Sequence, residues 1–182
     1  SAVGLGALVS VFDNSVARLR RMQSDLNFPI VTSIMQPKVL EKALKRADVA
    51  IGALRAKEGR TPCVISDEMV QKMKPKSVIV DVSIDQGGCF ETSELTTHEF
   101  PTFIKHDVIH YGVPNIASRV AKTASFSLSN ILAPLLLEVG EGGGVKGMLL
   151  RSPNIRGGVY VYNGIITNRG IGSWFDLPHK EI

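Results

Sequence analysis

The chain is poor in the features that mark several protein classes. Among its 182 residues only Cys63 and Cys89 are cysteines. They are too few and too far apart for a disulfide framework, neither has partners at metal-ligand spacing, and a reducing cytoplasm is the expectation. Aromatic residues make up 6% of the chain. Lysines and arginines are scattered without blocks or aromatic interleaving, so the formal charge of +4 does not concentrate into the basic face that nucleic acid requires. The longest apolar runs fall short of the roughly 20 residues of a membrane helix, and no signal-peptide pattern follows Ser1. A soluble protein with neither a nucleic-acid nor a membrane partner is expected. His98, His106, His110 and His179 lack ligand spacing, so no metal site is expected.

What is present is an ordinary globular composition, 44% hydrophobic and 21% charged. The length suits one well-cored domain with a modest appendage. Leu8 to Asp13, Phe28 to Ile34, Asp48 to Leu54, Ser77 to Ile84 and Asp107 to Val113 read as strands, rich in β-branched and aromatic residues. Between them lie helices. Asn14 or Ser15 caps Val16 to Leu26, Pro37 opens a helix to Ala47, and Ser66 caps one to Met73 with Asp67 and Glu68 at its positive end. Strand alternating with helix over short links gives parallel strands and right-handed crossovers. Near-continuous apolar strands fit a sheet covered on both faces, a doubly wound α/β fold.

From about Ser118 the pattern changes. Val120, Ala124, Leu128, Ile131, Leu132, Leu135 and Leu136 form the stripe of a long helix, with Pro134 as its kink. The glycine-rich stretch Gly140 to Gly147 reads as a flexible break. The tail beyond it holds two short strand-like or turn-like pieces and ends in Trp174 and Phe175.

Ligands of such sheets bind outside the carboxyl ends of the strands. That rule selects Asp13, Asp85 and Asn115. Asp13 closes the first strand, where a dinucleotide-binding unit places the acid that accepts the ribose hydroxyls; a turn or N-cap carboxylate is the alternative. The glycine fingerprint should precede such an acid by about 20 residues, which runs off the start of the chain. Gly4-Leu5-Gly6 is no substitute, because it precedes a strand; it reads as a helix ending on a left-handed glycine. The expected fold is therefore a Rossmann-type sheet lacking its first strand and Gly-rich loop. Ile84-Asp85-Gln86-Gly87-Gly88 is either a glycine turn or a carboxylate set in the cofactor crevice. Cys89 reads as a small buried apolar residue.

The run VIVDVSIDQGGCFETSELTTHEFPTF from Val78 to Phe103 resembles the signature of the alanine dehydrogenases, and MKPKSVIVD and HYGVPNIAS on either side are similar too. The resemblance extends from about Ala7 to Leu137. It implies residues 1–117 as a partial NAD-binding domain, and residues 118–182 as a connecting helix and C-terminal segment of the substrate domain. It implies NAD as cofactor, a homo-oligomer, and reversible oxidation of L-alanine to pyruvate and ammonium. Asp13 and Arg18 would lie at the adenosine ribose, and Leu54 and Arg55 beside the cofactor. Val82, Ser83 and Ile84 would reach toward the nicotinamide, Asp85 would be the catalytic aspartate, and Val113, Pro114, Asn115 and Ile116 would border nicotinamide and substrate. Pro114 stands where alanine is usual, and Arg55-Ala56-Lys57-Glu58 is more charged than that loop tends to be. The family's substrate-binding arginine and lysine and its catalytic histidine have no counterpart here, so the chain alone is expected to be inactive. The rivals are a nicotinamide nucleotide transhydrogenase domain, which tends to have glutamate at the Asp85 position, and a non-catalytic NAD-binding or oligomerisation module.

Overall fold

The computed structural model describes residues 1–26, 28–55, 60–180 and 182. It divides into two compact units, residues 1–54 with 62–114, and residues 55–61 with 115–182.

The first unit opens on a 3₁₀ turn, Val3–Leu5, closed by Gly6 at φ 85°. The left-handed glycine expected from Gly4-Leu5-Gly6 is there. Strand β1 (Ser10–Phe12) leads into α1 (Val16–Leu26), then β2 (Val31–Ser33), α2 (Pro37–Leu44) and β3 (Val49–Gly52). Helix α3 (Asp67–Gln71) starts at Ser66, whose side chain accepts from the Met69 amide. Strand β4 (Val78–Asp81) follows, then a hairpin of β5 (Thr102–Lys105) and β6 (Val108–Tyr111). The sequence pattern does not announce strand β5. Its turn, His106-Asp107, has φ of 54° and 58° at non-glycine residues, so the Asn-Gly or Asp-Gly signal of a hairpin is missing.

The strands form two sheets. β1 pairs β2 in parallel, and a separate sheet has the order β3-β4-β6-β5, parallel except for β5. Its ladders put Val49, Val78 and Ile109 in one row and Ala50, Ile79 and His110 in the next, so alternate rows face opposite sides. One side is packed. Leu40 and Leu44 of α2 and Val70 and Met73 from and just after α3 join Ala50, Ile79, Val108, Cys89 and Phe90 in a single core cluster. Among the described residues, the other side lacks the cover that the apolar strands imply. Val49, Ile51 and Ile104 are 55%, 66% and 72% exposed. Burying such a side chain is worth about 1.5–3 kcal/mol, so this face forfeits several kcal/mol without a cover.

One polar pair sits inside the packed side. His110 Nδ1 lies 3.0 Å from the Val108 carbonyl and Nε2 lies 2.8 Å from the Thr92 hydroxyl. A carbonyl only accepts, so Nδ1 holds the proton and Nε2 accepts from Thr92. The ring stacks on Phe103 at 4.8 Å. Burial pushes the His110 pKa below 6.5, offset only in part by the Val108 bond. The unfolded chain therefore binds a proton that the folded one resists. Its contribution to stability is whole above pH 6.5 and is lost as pH falls below that value toward the lowered folded pKa. Urea midpoints measured between pH 5 and 7.5 are expected to drop more steeply on acidification for the wild type than for His110→Gln; parallel curves would rule this out.

The second unit begins with a 3₁₀ turn, Ile116–Val120, running into α4 (Ala121–Glu141). Pro134 lies inside α4 without ending it. Together they make a helical span of 26 residues in which an 18-residue window has a mean hydropathy of 1.3, long and apolar enough by length and composition alone to cross a membrane. The uninterrupted apolar runs of the sequence are shorter than this span. Ser125, Ser127, Ser129 and Asn130 break those runs in sequence, but a helix carries the apolar residues past them. Among the described residues nothing buries α4: Phe126, Leu128, Ile131, Leu132, Leu136 and Leu137 are all more than half exposed. The glycine-rich stretch breaks the helix as expected, but only at Gly142 and Gly143: α4 continues through Gly140, and α5 (Gly144–Arg151) resumes at once after Gly143 at φ 82°, with Arg151 donating to the Gly142 carbonyl. Helix α6 (Pro153–Arg156) precedes a hairpin of β7 (Val161–Tyr162) and β8 (Ile165–Ile166), turned by Asn163-Gly164 at φ 51° and 77°. In α7 (Arg169–Phe175), Asn168 caps the Ile171 amide, and Arg60 lies over the Trp174 ring at 4.8 Å.

Candidate functional site

Parallel strands β3, β4 and β6 end on one edge of the larger sheet. There β3 runs out at Leu54, β4 into Val82 to Asp85, and β6 into Val113 and Pro114. Two hydrogen bonds lock the first two ends together: the Val82 amide donates to Gly52, and the Ser83 hydroxyl donates to the Leu54 carbonyl at 2.6 Å. Ser83, Ile84 and Val113 are buried, whereas Val82 is 46% exposed. The edge thus offers fixed backbone with few mobile groups.

Asp85 stands in a 3₁₀ turn, Ile84–Gln86. The Gln86 and Gly88 amides both return to the Ser83 carbonyl, and Gly87 donates to Ile84. Gly87 and Gly88 have φ of 110° and 78°, which explains the paired glycines. A side chain at Gly88 would also meet Asp81 Oδ2 at 2.8 Å. The glycine-turn reading is therefore correct as geometry, yet it leaves the Asp85 carboxylate exposed, without a hydrogen-bond partner among the described residues. A carboxylate that only capped the turn would point into it. This one is free to act on a ligand.

Sequence reasoning missed Asp81, the last residue of β4, which is 0% exposed. Oδ1 accepts from the Ser83 amide at 3.1 Å, and Oδ2 accepts from the Cys89 and Phe90 amides at 2.8 and 3.4 Å. The available signal was an acid in the apolar run VIVDV, where a core residue is the norm. Cys89 packs beside it in the core, and burial pushes its thiol pKa up. That fits the small apolar role read for Cys89.

Asp13 lies just beyond β1. Its Oδ1 accepts from the Ser15 amide at 2.7 Å, and Oδ2 is 3.6 Å from an Arg18 nitrogen. The turn-capping alternative is thus realised, and Arg18 does lie beside Asp13 as the resemblance implied. The ion pair is long and Arg18 is 72% exposed, so Oδ2 keeps acceptor capacity for a hydroxyl. Pro114 ends the first unit, and Arg55, Asn115 and Ile116 fall in the second. Asn115, at φ 54°, starts the 3₁₀ turn before α4, its carbonyl accepting from the Ser118 amide. Ala56, Lys57 and Glu58 of the charged loop lie outside the described residues.

The profile of the family described as Alanine dehydrogenase/PNT, C-terminal domain, matches residues 1–169. Alanine dehydrogenase of Lysinibacillus sphaericus is 36% identical over 182 residues, all of this chain and 49% of that protein. A solved L-alanine dehydrogenase superposes with a TM-score of 0.85 at 34% identity, over 96% of this chain and 48% of the other. A transhydrogenase from Sinorhizobium meliloti is more distant, with a TM-score of 0.65 and 26% identity over 74% of this chain. The chain spans about half the length of the curated relatives it matches. With the strand-edge turn, the buried acid beneath it and a match across both units, the chain belongs to the alanine dehydrogenase/PNT C-terminal domain family, as a Rossmann-type α/β portion of an oxidoreductase fold.

Proposed function

We propose that this chain is the NAD-binding, C-terminal half of an alanine dehydrogenase that oxidises L-alanine to pyruvate and ammonium. The observation that carries the reading is the exposed Asp85 carboxylate, held on a rigid turn where β4 ends between β3 and β6. A polar group at the carboxyl edge of a parallel sheet is where such folds act on ligands. The solved transhydrogenase shares the fold, but the lower identity and the Asp85-Gln86-Gly87-Gly88 turn favour the dehydrogenase.

NAD, when bound, supplies the hydride acceptor. The chain's own residues would orient it. Asp13 accepts ribose hydroxyls and repels a 2′-phosphate, with Arg18 at the same end. By the family resemblance, Leu54, Arg55, Val82, Ser83 and Ile84 would hold the cofactor, and Val113, Pro114, Asn115 and Ile116 would hold its nicotinamide and the substrate. Asp85 positions the attacking water and takes its proton as the imino acid is hydrolysed to pyruvate and ammonium. A glycine loop for the pyrophosphate and the cations for the alanine carboxylate are not among these residues, so an N-terminal half must provide them.

Two observations support that division. Among the described residues, the small sheet β1-β2 and the larger sheet each end on a parallel strand with one edge unpaired, β1 and β3, as if a strand belonged between them. The uncovered apolar faces of the larger sheet and of α4 also need partners, from the N-terminal half or from further copies in a homo-oligomer. A cytoplasmic location goes with this reading.

The test is turnover of L-alanine by the full-length protein with NAD or NADP, beside the 182-residue chain alone. Activity is expected only from the full-length protein, with NAD preferred. Asp13→Gly should narrow the NAD preference by roughly 10-fold or more, since it removes both an acceptor and a charge facing the 2′-phosphate. No alanine turnover by the full-length protein would end the proposal. An unchanged cofactor ratio would return Asp13 to capping alone.

A further inference from the structure

Asp81 is an unusual residue to find where it is. It lies on the packed side of β4, two residues after Ile79, and both are wholly buried. No lysine or arginine pairs with it among the described residues. Burying an unpaired carboxylate is costly, and here main-chain amides alone offset that cost.

Their placement shows what the cost secures. Ser83 is the first residue of the turn that holds Asp85, and Cys89 and Phe90 are the first residues after its glycines. One side chain therefore holds both ends of the Ser83–Phe90 loop, one oxygen to each end. Ser or Thr offers one oxygen, and Asn one acceptor beside a donor that would face an N–H. Only a carboxylate has an acceptor for each end. Gly88 passes so close over Oδ2 that even a methyl group would collide. With Ser83 also fixed to Leu54, the loop has little freedom to turn Asp85 away from the sheet edge.

We propose that Asp81 is a positioning residue: it clips the loop at both ends and so sets where the Asp85 carboxylate stands, without touching substrate or cofactor. This rests on the dehydrogenase reading above for its kinetic consequence, but not for its structural one.

The structural arm is amide hydrogen exchange in the wild-type full-length protein. The Cys89 and Phe90 amides should be protected at least about 10²-fold beyond Gln86. Exchange at the rate of an open loop would overturn the clip, whatever the protein catalyses. The kinetic arm compares Asp81→Asn, Asp85→Asn and the double variant, with kcat expressed per NAD-binding site so that unfolded protein does not count. Asp81→Asn is expected to lower kcat roughly 10-fold or more with NAD affinity changed less than about 3-fold. Residues acting as one unit are non-additive, so the double variant should be no slower than Asp85→Asn alone. Losses that multiply, or a normal kcat in Asp81→Asn with only lowered stability, would overturn the positioning role. An inactive wild type with protected Cys89 and Phe90 amides would instead count against the dehydrogenase reading and leave the clip standing.

Discussion

Asp85→Asn in the full-length protein is expected to lower turnover by about 10²-fold or more while leaving NAD affinity nearly unchanged. The substitution keeps shape and one hydrogen-bonding oxygen, but removes charge and basicity. Nothing in the turn needs the carboxylate, because the turn is closed by the amides of Gln86, Gly87 and Gly88 on the carbonyls of Ser83 and Ile84. The asparagine variant should therefore fold and bind cofactor normally. This separates chemistry from architecture. Single-turnover hydride transfer beside an NAD titration provides the measurement. Catalysis and binding falling together would mean a collapsed loop, and near-normal turnover would remove the one catalytic role assigned to this chain.

The local code announced α1, from Val16 to Leu26, the Pro37 start of α2, the Ser66 cap and the left-handed Gly6, because each rests on a contact within a few residues. The parallel β3-β4-β6 arrangement followed from apolar strands alternating with helices. What stayed hidden depends on the third dimension. Strand β5 is only Thr102–Lys105 and turns through His106-Asp107, whose shared left-handed geometry has no glycine to signal it. Asp85 could be proposed from its glycines and from family resemblance. Asp81 shows in sequence only as an acid in the apolar run VIVDV, and nothing there says that a loop coming back eight residues later would close over it. The uncovered sheet face was equally invisible, because strands apolar on both sides look the same whether or not their cover is supplied by the same chain.

Glycine makes that difference measurable, because the same substitution should act with opposite sign at two places. Gly112 follows β6, where a Cβ would drive into the backbone carbonyl of Glu94. A carbonyl in the main chain cannot swing aside as a side chain can. The two segments are also tied, the Thr96 amide donating to the Gly112 carbonyl and the Gly112 amide to the Thr96 hydroxyl. Gly112→Ala should therefore force the segments apart, costing about 3 kcal/mol, at the upper end for overpacking. It should also displace Val113 and Pro114, next along the chain, and so weaken NAD binding. Gly140 is the contrasting case. It lies inside α4, a Cβ there would meet nothing within 4 Å, and its φ is not positive. There an alanine only removes backbone freedom from the unfolded chain, and Gly140→Ala should stabilise by about 0.5–1 kcal/mol. Denaturant midpoints of both variants in the full-length protein decide it. A tolerated alanine at Gly112 would mean that the Glu94 segment yields easily and that β6 does not hold Val113 and Pro114 rigidly. A destabilising alanine at Gly140 would mean that a partner packs on that side of α4, close enough to need the missing side chain.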